Sequence, residues 1–465
     1  MKGDCILSKQ ILIPPVKKGG RYTLEIVGLG HSGEGVGRLA EFTVFVPQAL
    51  PGEKVQVSVM EVKKNYAKAK LLAVEKPSPF RVQPPCLVYD VCGGCQLQHL
   101  SYEGQLIYKR QSVVDAVTRI GKLPEVQVRA TLGAECPWNY RNKMQFPVGK
   151  ENGNVVIGCF AQGTHTIIPT ETCAIQQEAN NRIVRTVRSA IDELGISIYN
   201  EKSGTGIMRH VVGRVGVATG EIMVVLVTAQ KHLPHKEKLI QSLREHIPGL
   251  MSIVQNVNEK QTNVIMGDDT QTIWGQDTIT DRLGEFSFVI SARSFFQVNT
   301  AQAEILYNKA VEYAGLSGTE IVIDAYCGTG TITLFLAKRA KKVYGIEVVA
   351  PAIWDAKVNT RRNDIDNTEF IVGDAVEVMP LLFKDGVRPK VIVVDPPRAG
   401  CDRTVLETFL HMQPQRIVYV SCNPASLARD LAILAEHQYI VQEIQPVDMF
   451  PHTYHVETVA LIERK

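Results

Sequence analysis

Short runs of alternating apolar and polar residues dominate the first part of the chain, and glycine- and proline-rich turns separate them at residues 28–37 and 51–52. The runs lie at residues 22–27, 43–46, 54–59 and 68–73. Alternation with a period of two places one side of each strand against a core, and several short strands with turns between them are typical of a small all-β barrel. We therefore predict an OB-like barrel domain over residues 15–78.

A different pattern begins near residue 290, where buried apolar runs alternate regularly with helical segments. A predicted strand at residues 320–324 ends in Asp324, a glycine-rich turn follows to Gly330, and Thr331 opens a helix. The next predicted strand, residues 342–347, ends in Glu347. Strand, glycine turn, helix and strand form a nucleotide-binding βαβ unit. We predict an α/β, Rossmann-like domain over residues 291–465.

Between these two regions, residues 79–290 alternate strand-like and helical segments without a nucleotide motif. Residues 138–144 and 208–214 combine aromatic, basic and amide side chains, which stack on bases and bind phosphates in RNA-binding proteins. Ordinary polar packing is the alternative interpretation. We predict that residues 79–290 form a central α+β domain that binds RNA.

Composition and charge narrow the class of protein. No apolar run approaches the roughly 18 residues needed to span a bilayer, and the first residues lack the pattern of a secretory signal. We therefore expect a cytoplasmic protein with reduced cysteines. The net charge is only +3, but residues 1–80 hold 12 Lys or Arg against 7 Asp or Glu. A basic barrel with lysines and a tyrosine at residues 63–70 favours a nucleic-acid partner over a merely solvated hairpin.

Three cysteines lie close together in the sequence: Cys86, Cys92 and Cys95, with Gly93 and Gly94 between the last two. In a reducing compartment such a group indicates a metal site, and four thiolates suit either zinc or an iron–sulfur cluster. The spacing leaves the metal open. It also leaves open the fourth ligand, for which the candidates are Cys136, Cys159 and Cys173.

The glycine turn after Asp324 lacks the third glycine of a dinucleotide fingerprint, which disfavours NAD. A cofactor with a ribose but no pyrophosphate fits better, namely S-adenosylmethionine. In that interpretation Glu347 holds the ribose hydroxyls, Asp374 lies near the adenine amino group, and Asp395 precedes a stiff Pro-Pro turn near the sulfonium. A purely structural βα turn is the alternative.

Two further residues are candidates for chemistry. Cys422 follows the apolar run 417–420, and ligands collect at the carboxyl ends of strands in open α/β sheets. A small buried thiol is the alternative interpretation. Glu457 lies two residues after His455 in a strand-like run, where acids are often solvated.

Taken together, these motifs give a family resemblance over essentially the whole chain. The chain resembles the RNA uracil-5-methyltransferases, specifically the iron–sulfur 23S rRNA (uracil-5-)-methyltransferases with an N-terminal TRAM domain. The segments that carry the resemblance are residues 30–37 and 44–55 for TRAM, the cysteine set, and residues 294–299, 324–330, 395–398, 421–424 and 455–457.

The resemblance implies a role for each candidate residue. It implies a [4Fe–4S] cluster on Cys86, Cys92, Cys95 and Cys173. It implies contacts to S-adenosylmethionine from Gln297, Tyr326, Glu347 and Asp395, and from Thr331 and Asp374, where some relatives carry Asn. It also implies that Cys422 and Glu457 perform the chemistry.

The expected reaction follows from the electronic structure of uracil. The Cys422 thiolate adds to carbon 6, carbon 5 then accepts the methyl group, and Glu457 removes the carbon-5 proton. We expect Arg398 or a helix N-terminus to lower the pKa of Cys422. The expected substrate is RNA, most specifically 23S rRNA, and the expected state is a monomer with no protein partner implied and no membrane association.

Other functions remain open from the sequence alone. They are a tRNA uracil-5-methyltransferase, an RNA cytosine-5-methyltransferase, an amino-group methyltransferase, a non-enzymatic RNA-binding protein with a metal site, and a redox enzyme.

Overall fold

The structure, a computed structural model, describes residues 14–465. The prediction about a secretory signal concerns residues that lie outside this range. The described residues form two compact units. The first comprises residues 14–84 together with Cys95–Tyr108 and His452–Tyr454, and the second comprises Pro85–Gly94, Lys109–Pro451 and His455–Lys465. Within residues 14–465, no helix is both long enough and apolar enough to cross a membrane.

The first unit contains a closed five-stranded barrel with the strand order β1-β2-β3-β5-β4. Its strands are β1 (Arg21–Leu29), β2 (Gly35–Leu39), β3 (Phe42–Val46), β4 (Lys54–Val62) and β5 (Tyr66–Lys76). The alternation that predicted these strands is visible in β4, where Val55, Val57 and Val59 are buried. The predicted barrel is confirmed.

Strand β2 was not predicted, because residues 28–37 were interpreted as a turn. The strand begins at Gly35, where a Cβ atom would lie 2.7 Å from the carbonyl oxygen of Ala49. Only glycine allows this approach, and a strand that begins with glycine has too few apolar side chains to show alternation.

Nine helices and seventeen further strands are assigned within the described residues after the barrel. The helices are α1 (Tyr102–Arg119), α2 (Glu178–Glu193), α3 (Lys236–His246), α4 (Thr300–Ala314), α5 (Thr331–Ala337), α6 (Ala350–Arg362), α7 (Ala375–Lys384), α8 (Arg403–Met412) and α9 (Pro424–Ala435). The strands up to the glycine turn are β6 (Gln127–Val128), β7 (Lys143–Glu151), β8 (Asn154–Phe160), β9 (Ile167–Pro169), β10 (Met208–Val215), β11 (Ile222–Thr228), β12 (Leu250–Val257), β13 (Asp269–Gly275), β14 (Thr278–Leu283), β15 (Phe286–Ser291) and β16 (Ile321–Ala325). The remaining strands are β17 (Lys342–Glu347), β18 (Thr368–Val372), β19 (Val391–Val394), β20 (Arg416–Ser421), β21 (Tyr439–Val447) and β22 (Glu457–Arg464).

A seven-stranded sheet, in the order β13-β12-β11-β10-β7-β8-β9, forms one part of the second unit. One of its faces packs on α2 and α3 through a core that includes Val211 and Val224. Val212 and Val225 point to the opposite face, where they share a core with β14, β15 and α4. The same core continues into the next sheet through Val322 and Val418. This shared core explains why the second unit is not divided near residue 290, and the predicted domain bounds 15–78, 79–290 and 291–465 stay predictions.

An eight-stranded sheet, in the order β18-β17-β16-β19-β20-β22-β21-β6, forms the other part of the second unit. Strands β18, β17, β16, β19 and β20 are parallel, and β22 runs antiparallel to β20. The strand order reverses between β16 and β19, and ligands bind at the carboxyl edge of such a switch point. The predicted Rossmann-like α/β fold is confirmed.

Candidate active site

Six of the predicted site residues lie at the carboxyl edge of the eight-stranded sheet. They follow or end successive strands: Tyr326 after β16, Glu347 at the end of β17, Asp374 after β18, Asp395 after β19, Cys422 after β20, and Glu457 at the start of β22. Because β22 is antiparallel to β20, its first residue meets the ends of the parallel strands. One edge therefore carries four of the six predicted cofactor residues and the two predicted reacting groups.

The glycine turn after β16 has an unusual backbone. Tyr326 has a φ of 66°, which is uncommon for a residue with a side chain, and Gly330 has a φ of 78°. A Cβ atom on Gly330 would lie 3.0 Å from the Cβ of Ala356 and 3.2 Å from the ring of Phe370. Glycine is required here, and the turn exposes backbone rather than side chains to a ligand.

The Glu347 carboxylate is held beside this turn by two backbone donors. The amide of Gly328 donates to Oε2 at 3.3 Å, and the amide of Val349 donates to Oε1 at 2.9 Å. Its position across the turn is the one expected of a group that binds ribose hydroxyls.

Asp324, at the centre of the sheet under the turn, is fully buried. The Thr333 hydroxyl donates to Oδ2 at 2.5 Å, whereas Oδ1 has no hydrogen-bond partner among the described residues. Burial raises the pKa of Asp324 to about 7, although the hydrogen bond from Thr333 opposes this. A buried carboxylate oxygen without a partner fits a ligand that brings a donor or a positive charge, and S-adenosylmethionine has both.

Gln297 lies in the segment that precedes α4, and its backbone oxygen accepts a hydrogen bond from Nδ2 of Asn142 at 2.9 Å. Its side chain is hydrogen bonded to the hydroxyl of Tyr307. Tyr307 is buried, and burial raises its pKa far above the usual value, with the charge of Asp395 adding to the shift. Tyr307 thus bonds to Gln297 and lies within reach of the charge of Asp395. The sequence analysis missed it, because a tyrosine among the apolar positions of a helix has the pattern of an ordinary core residue.

Thr331 and Asp374 make local contacts at helix starts. Thr331 is the first residue of α5, and its hydroxyl lies 3.4 Å from that of Thr329. Asp374 caps α7 by accepting a hydrogen bond from the amide of Val376 at 2.9 Å. Helix capping explains an aspartate at this position without any ligand. Cofactor contacts from these two residues stay predictions.

Cys422 and Glu457 are adjacent across two strands. Ser421 is paired with Thr458 in the β20–β22 ladder, and the Thr458 hydroxyl donates to the Ser421 carbonyl oxygen at 3.0 Å. One residue beyond this pair lie Cys422, which directly follows β20, and Glu457, the first residue of β22, whose charge acts on the Cys422 thiol. Opposite residues of an antiparallel pair project to the same face, so this register brings the thiol and the carboxylate together.

The charged groups of this edge shift one another's pKa values. Burial and, after it, the negative charge of Asp395 raise the pKa of Glu457 to about 8, although the charge of Arg398 acts against them. Burial raises the pKa of Asp395 to about 6. These carboxyl groups therefore hold protons more tightly than exposed acids do, which suits groups that exchange protons near neutral pH.

The thiol of Cys422 shows the opposite of the expected shift. Burial raises its pKa to about 11, the charges of Glu457 and Asp395 act in the same direction, and Arg398 acts against them. The charge of Arg398 lowers the pKa of Cys422, as predicted, but burial and the charges of the two carboxylates raise it by more. The Pro-Pro turn that carries Arg398 is held in place by Asn423, whose Nδ2 donates to the Arg398 carbonyl oxygen at 3.0 Å.

The cysteines predicted to bind a metal are divided between the two units. Cys86, Cys92 and Cys173 belong to the second unit, and Cys95 belongs to the first. The thiol of Cys92 is hydrogen bonded to Cys159, which was one of the rival ligands. Within residues 14–465, no group of three or more His, Cys, Asp or Glu is arranged to hold a metal ion. The [4Fe–4S] cluster stays a prediction.

Two family models match this chain. Residues 102–465 match the model described as tRNA (Uracil-5-)-methyltransferase, and residues 15–72 match the model of the TRAM domain. A protein of Clostridium tetani named an uncharacterized RNA methyltransferase is 52% identical over 448 residues, which are 96% of this chain and 97% of that protein. A protein of the same description from Halalkalibacterium halodurans is 51% identical over 451 residues, which are 97% of this chain and 98% of that protein.

A solved structure is also similar over nearly the whole length. It is the Pyrococcus abyssi tRNA (uracil-54, C5)-methyltransferase in complex with S-adenosyl-L-homocysteine. The two chains are 32% identical with a TM-score of 0.77, and the match covers 95% of this chain and all of the other. That protein binds the demethylated form of S-adenosylmethionine in the same fold.

Proposed function

The chain belongs to the tRNA (uracil-5-)-methyltransferase family, and from that premise we propose that it methylates carbon 5 of a specific uridine in RNA, with Cys422 and Glu457 as the reacting groups. The observation that carries the proposal is the register of β20 and β22, which supports a thiol and a proton acceptor acting on one ring. The glycine turn after β16 opens on the same edge of the sheet.

S-adenosylmethionine supplies the methyl group and a positively charged sulfonium. We expect Gln297, Tyr326, Glu347 and Asp395 to hold it, with further contacts from Thr331 and Asp374. The unpartnered Oδ1 of Asp324 supports this assignment, because a buried carboxylate oxygen stabilises a nearby positive charge. The hydrogen bond between Tyr307 and Gln297 fixes one wall of the same region.

The chain's own residues account for the covalent chemistry. The Cys422 thiolate forms a carbon–sulfur bond at carbon 6 of uracil, and the displaced electron pair makes carbon 5 nucleophilic. Carbon 5 would then take the methyl group from the sulfonium of S-adenosylmethionine, so that the methyl–sulfur bond breaks and S-adenosylhomocysteine leaves. Glu457 takes the proton from carbon 5, the double bond re-forms and the thiolate leaves. The uridine must be extruded from its RNA stem or loop to reach these groups.

For the substrate we propose 23S rRNA, on the strength of the sequence resemblance. A tRNA substrate is the second candidate, because the matching family description and the similar solved structure both refer to tRNA. Mapping of 5-methyluridine in rRNA and tRNA from cells with and without this gene separates the two. Loss of the modified nucleoside from 23S rRNA alone supports the first candidate, and loss from tRNA alone supports the second.

Purified protein with methyl-labelled S-adenosylmethionine and RNA from the gene-deleted cells tests the reaction itself. The expected labelled product is 5-methyluridine. A labelled 5-methylcytidine would identify an RNA cytosine-5-methyltransferase instead. A protein that binds RNA but transfers no label would support a non-enzymatic RNA-binding role.

We keep the [4Fe–4S] cluster on Cys86, Cys92, Cys95 and Cys173 as a separate hypothesis, supported by the spacing of the first three cysteines and the family resemblance. No step of the reaction depends on it. An ultraviolet–visible spectrum of anaerobically purified protein, with iron and sulfide analysis, tests its presence. The cytoplasmic location and the monomeric state also stay predictions.

A further inference from the structure

Two cationic side chains lie directly opposite each other in the seven-stranded sheet. Lys143 on β7 and Arg214 on β10 are register partners in an antiparallel pair. Side chains at such positions share one face of the sheet, and like charges placed there destabilise the pair. The face is the one that carries Val212, which packs toward α4 rather than toward α2 and α3.

Neither cation has a carboxylate partner. No ion pair of Lys143, Arg214 or Arg141 with an acid occurs within residues 14–465. Arg214 is only 3% exposed, and its Nε has no hydrogen-bond partner in this part of the chain. Its Nη2 donates to the carbonyl oxygens of Ala292 and Ser294, at 3.2 and 2.6 Å. A buried guanidinium whose hydrogen-bond partners are only carbonyl oxygens has no negative charge beside it to balance its positive charge.

The neighbouring positive charges affect the pKa of Lys143. Burial and, after it, the positive charges of Arg214 and Arg141 lower its pKa to about 7. An anion beside the three side chains would reverse these two electrostatic contributions, because it would stabilise every one of the charges. The three side chains are therefore arranged to bind an anion.

The cluster adjoins the candidate active site. Arg214 is bonded to the backbone of Ser294, and Asn142, which lies between Arg141 and Lys143, donates through Nδ2 to the backbone oxygen of Gln297. Arg141 also acts on His455: after burial and Arg398, its charge is among the causes that lower the pKa of His455 to about 4. The cations therefore lie beside the backbone of the predicted cofactor segment, and the charge of Arg141 reaches His455.

We propose that Lys143 and Arg214, assisted by Arg141, bind a backbone phosphate of the substrate RNA next to the target uridine. This inference rests on the proposed function, because it takes RNA as the ligand. Contacts to phosphates fix the position of a nucleic acid, and an extruded base needs such an anchor close to the reacting groups. The carboxylate of the cofactor is the competing anion, and the experiment must distinguish the two.

The test compares the wild type with Lys143→Met, Lys143→Arg and Lys150→Met. Lys150 is an exposed lysine at the other end of β7 and serves as the matched control. The probe is a 20-nucleotide uridine-containing RNA oligonucleotide, whose Kd is measured at a series of KCl concentrations. The Kd for S-adenosylmethionine and the thermal midpoint Tm are measured for the same proteins.

We expect Lys143→Met to weaken RNA binding by about tenfold and to reduce the slope of log K against log salt by about 0.7, the value for one phosphate contact on a single strand. We also expect Lys143→Arg and Lys150→Met to behave as the wild type, and Lys143→Met to keep its Tm or raise it because a like-charge pair is removed. The Kd for S-adenosylmethionine should not change.

Unchanged RNA affinity and salt slope in Lys143→Met would overturn the inference. Loss of S-adenosylmethionine affinity with normal RNA binding would overturn it in favour of the cofactor carboxylate. The proposed function would fail independently of this inference if the wild type bound RNA through this site but formed no methylated nucleoside.

Discussion

The Thr458 hydroxyl donates a hydrogen bond to the Ser421 carbonyl oxygen at 3.0 Å, across the antiparallel pair of β20 and β22. Both residues are buried. This bond fixes the last register pair before Cys422 and Glu457, so it sets how the thiol and the carboxylate face each other. The alignment of the two reacting groups therefore depends on a residue that touches neither substrate nor cofactor.

Thr458→Val removes this hydroxyl and keeps the side-chain shape. We expect kcat to fall by about tenfold, because small misplacements of reacting groups are costly, while the free energy of unfolding falls by only about 1 kcal/mol. Thr458→Ser, which keeps the hydroxyl, should restore most of kcat. If Thr458→Val has a normal kcat and an unchanged Kd for S-adenosylmethionine, the Thr458–Ser421 hydrogen bond does not position Cys422 and Glu457.

Glu457 should make the stability of the protein depend on pH. Its pKa is about 8 in the folded protein against an ordinary value of 4.5, so between these two pH values the folded state holds a proton that the unfolded chain releases. Stability is therefore expected to fall as pH rises from 5 to 8. Glu457→Gln should lose less stability over this range than the wild type, measured by Tm at both pH values. The control is Glu193→Gln at an exposed site, and equal slopes in all three proteins would contradict the assignment.

The pKa of Cys422 should respond to a positive charge at the sheet edge. It is about 11, because burial and the charges of Glu457 and Asp395 disfavour the thiolate. A bound sulfonium offsets those charges, whereas the thioether of S-adenosylhomocysteine does not. We expect the pH profile of Cys422 alkylation, followed by peptide mass spectrometry, to shift to lower pH with S-adenosylmethionine than with S-adenosylhomocysteine. Identical profiles would show that the sulfonium does not lower the pKa of the Cys422 thiol.

The segment that leads to Glu457 is anchored by a buried ion pair. Lys109 Nζ lies 2.5 Å from Asp448 Oδ1 and donates to the Phe450 carbonyl oxygen at 3.0 Å, and both charged side chains are fully buried. Lys109→Met leaves the Asp448 charge buried without a partner, so we expect a loss of about 3–5 kcal/mol in denaturant unfolding. Lys338→Met, which breaks the exposed pair with Glu285, should cost less than about 1 kcal/mol.

A double variant separates the charge from the packing. Lys109→Met combined with Asp448→Leu removes the unpaired charge and should recover most of the lost stability. Failure of the second substitution to recover any stability would show that packing around the lysine, rather than the ion pair, stabilises this region.

The sequence predicted the sheet edge well, because each strand of the parallel sheet is a compact apolar run that ends at a turn or an acid. The strand at residues 342–347 was predicted with its observed bounds, and the runs ending at Asp324 and Val420 lie within one residue of the observed strand ends. The pairing of Cys422 with Glu457 was expected only from resemblance. Their proximity depends on β22 running antiparallel to β20, which no local pattern specifies.

Other features depend on contacts between distant segments and were beyond sequence reasoning. Tyr307 has the pattern of a core residue, and only the fold brings its hydroxyl to Gln297. The Cys92–Cys159 hydrogen bond joins residues far apart in the chain, as does the opposition of Lys143 and Arg214. The direction of the Cys422 pKa was mistaken because the charge of Arg398 can be read from the sequence, whereas burial of the thiol cannot.

The most direct test of the central claim uses RNA in which 5-fluorouridine replaces uridine. Fluorine takes the place of the carbon-5 proton that Glu457 would remove, so the thiolate cannot be eliminated and the covalent complex is trapped. With S-adenosylmethionine, the wild type and the exposed-thiol control Cys136→Ala should both give an RNA–protein adduct on a denaturing gel. Cys422→Ala should give none, although it keeps its fold and its affinity for S-adenosylmethionine. An adduct that persists in Cys422→Ala would show that another nucleophile adds to the uridine and would contradict the account.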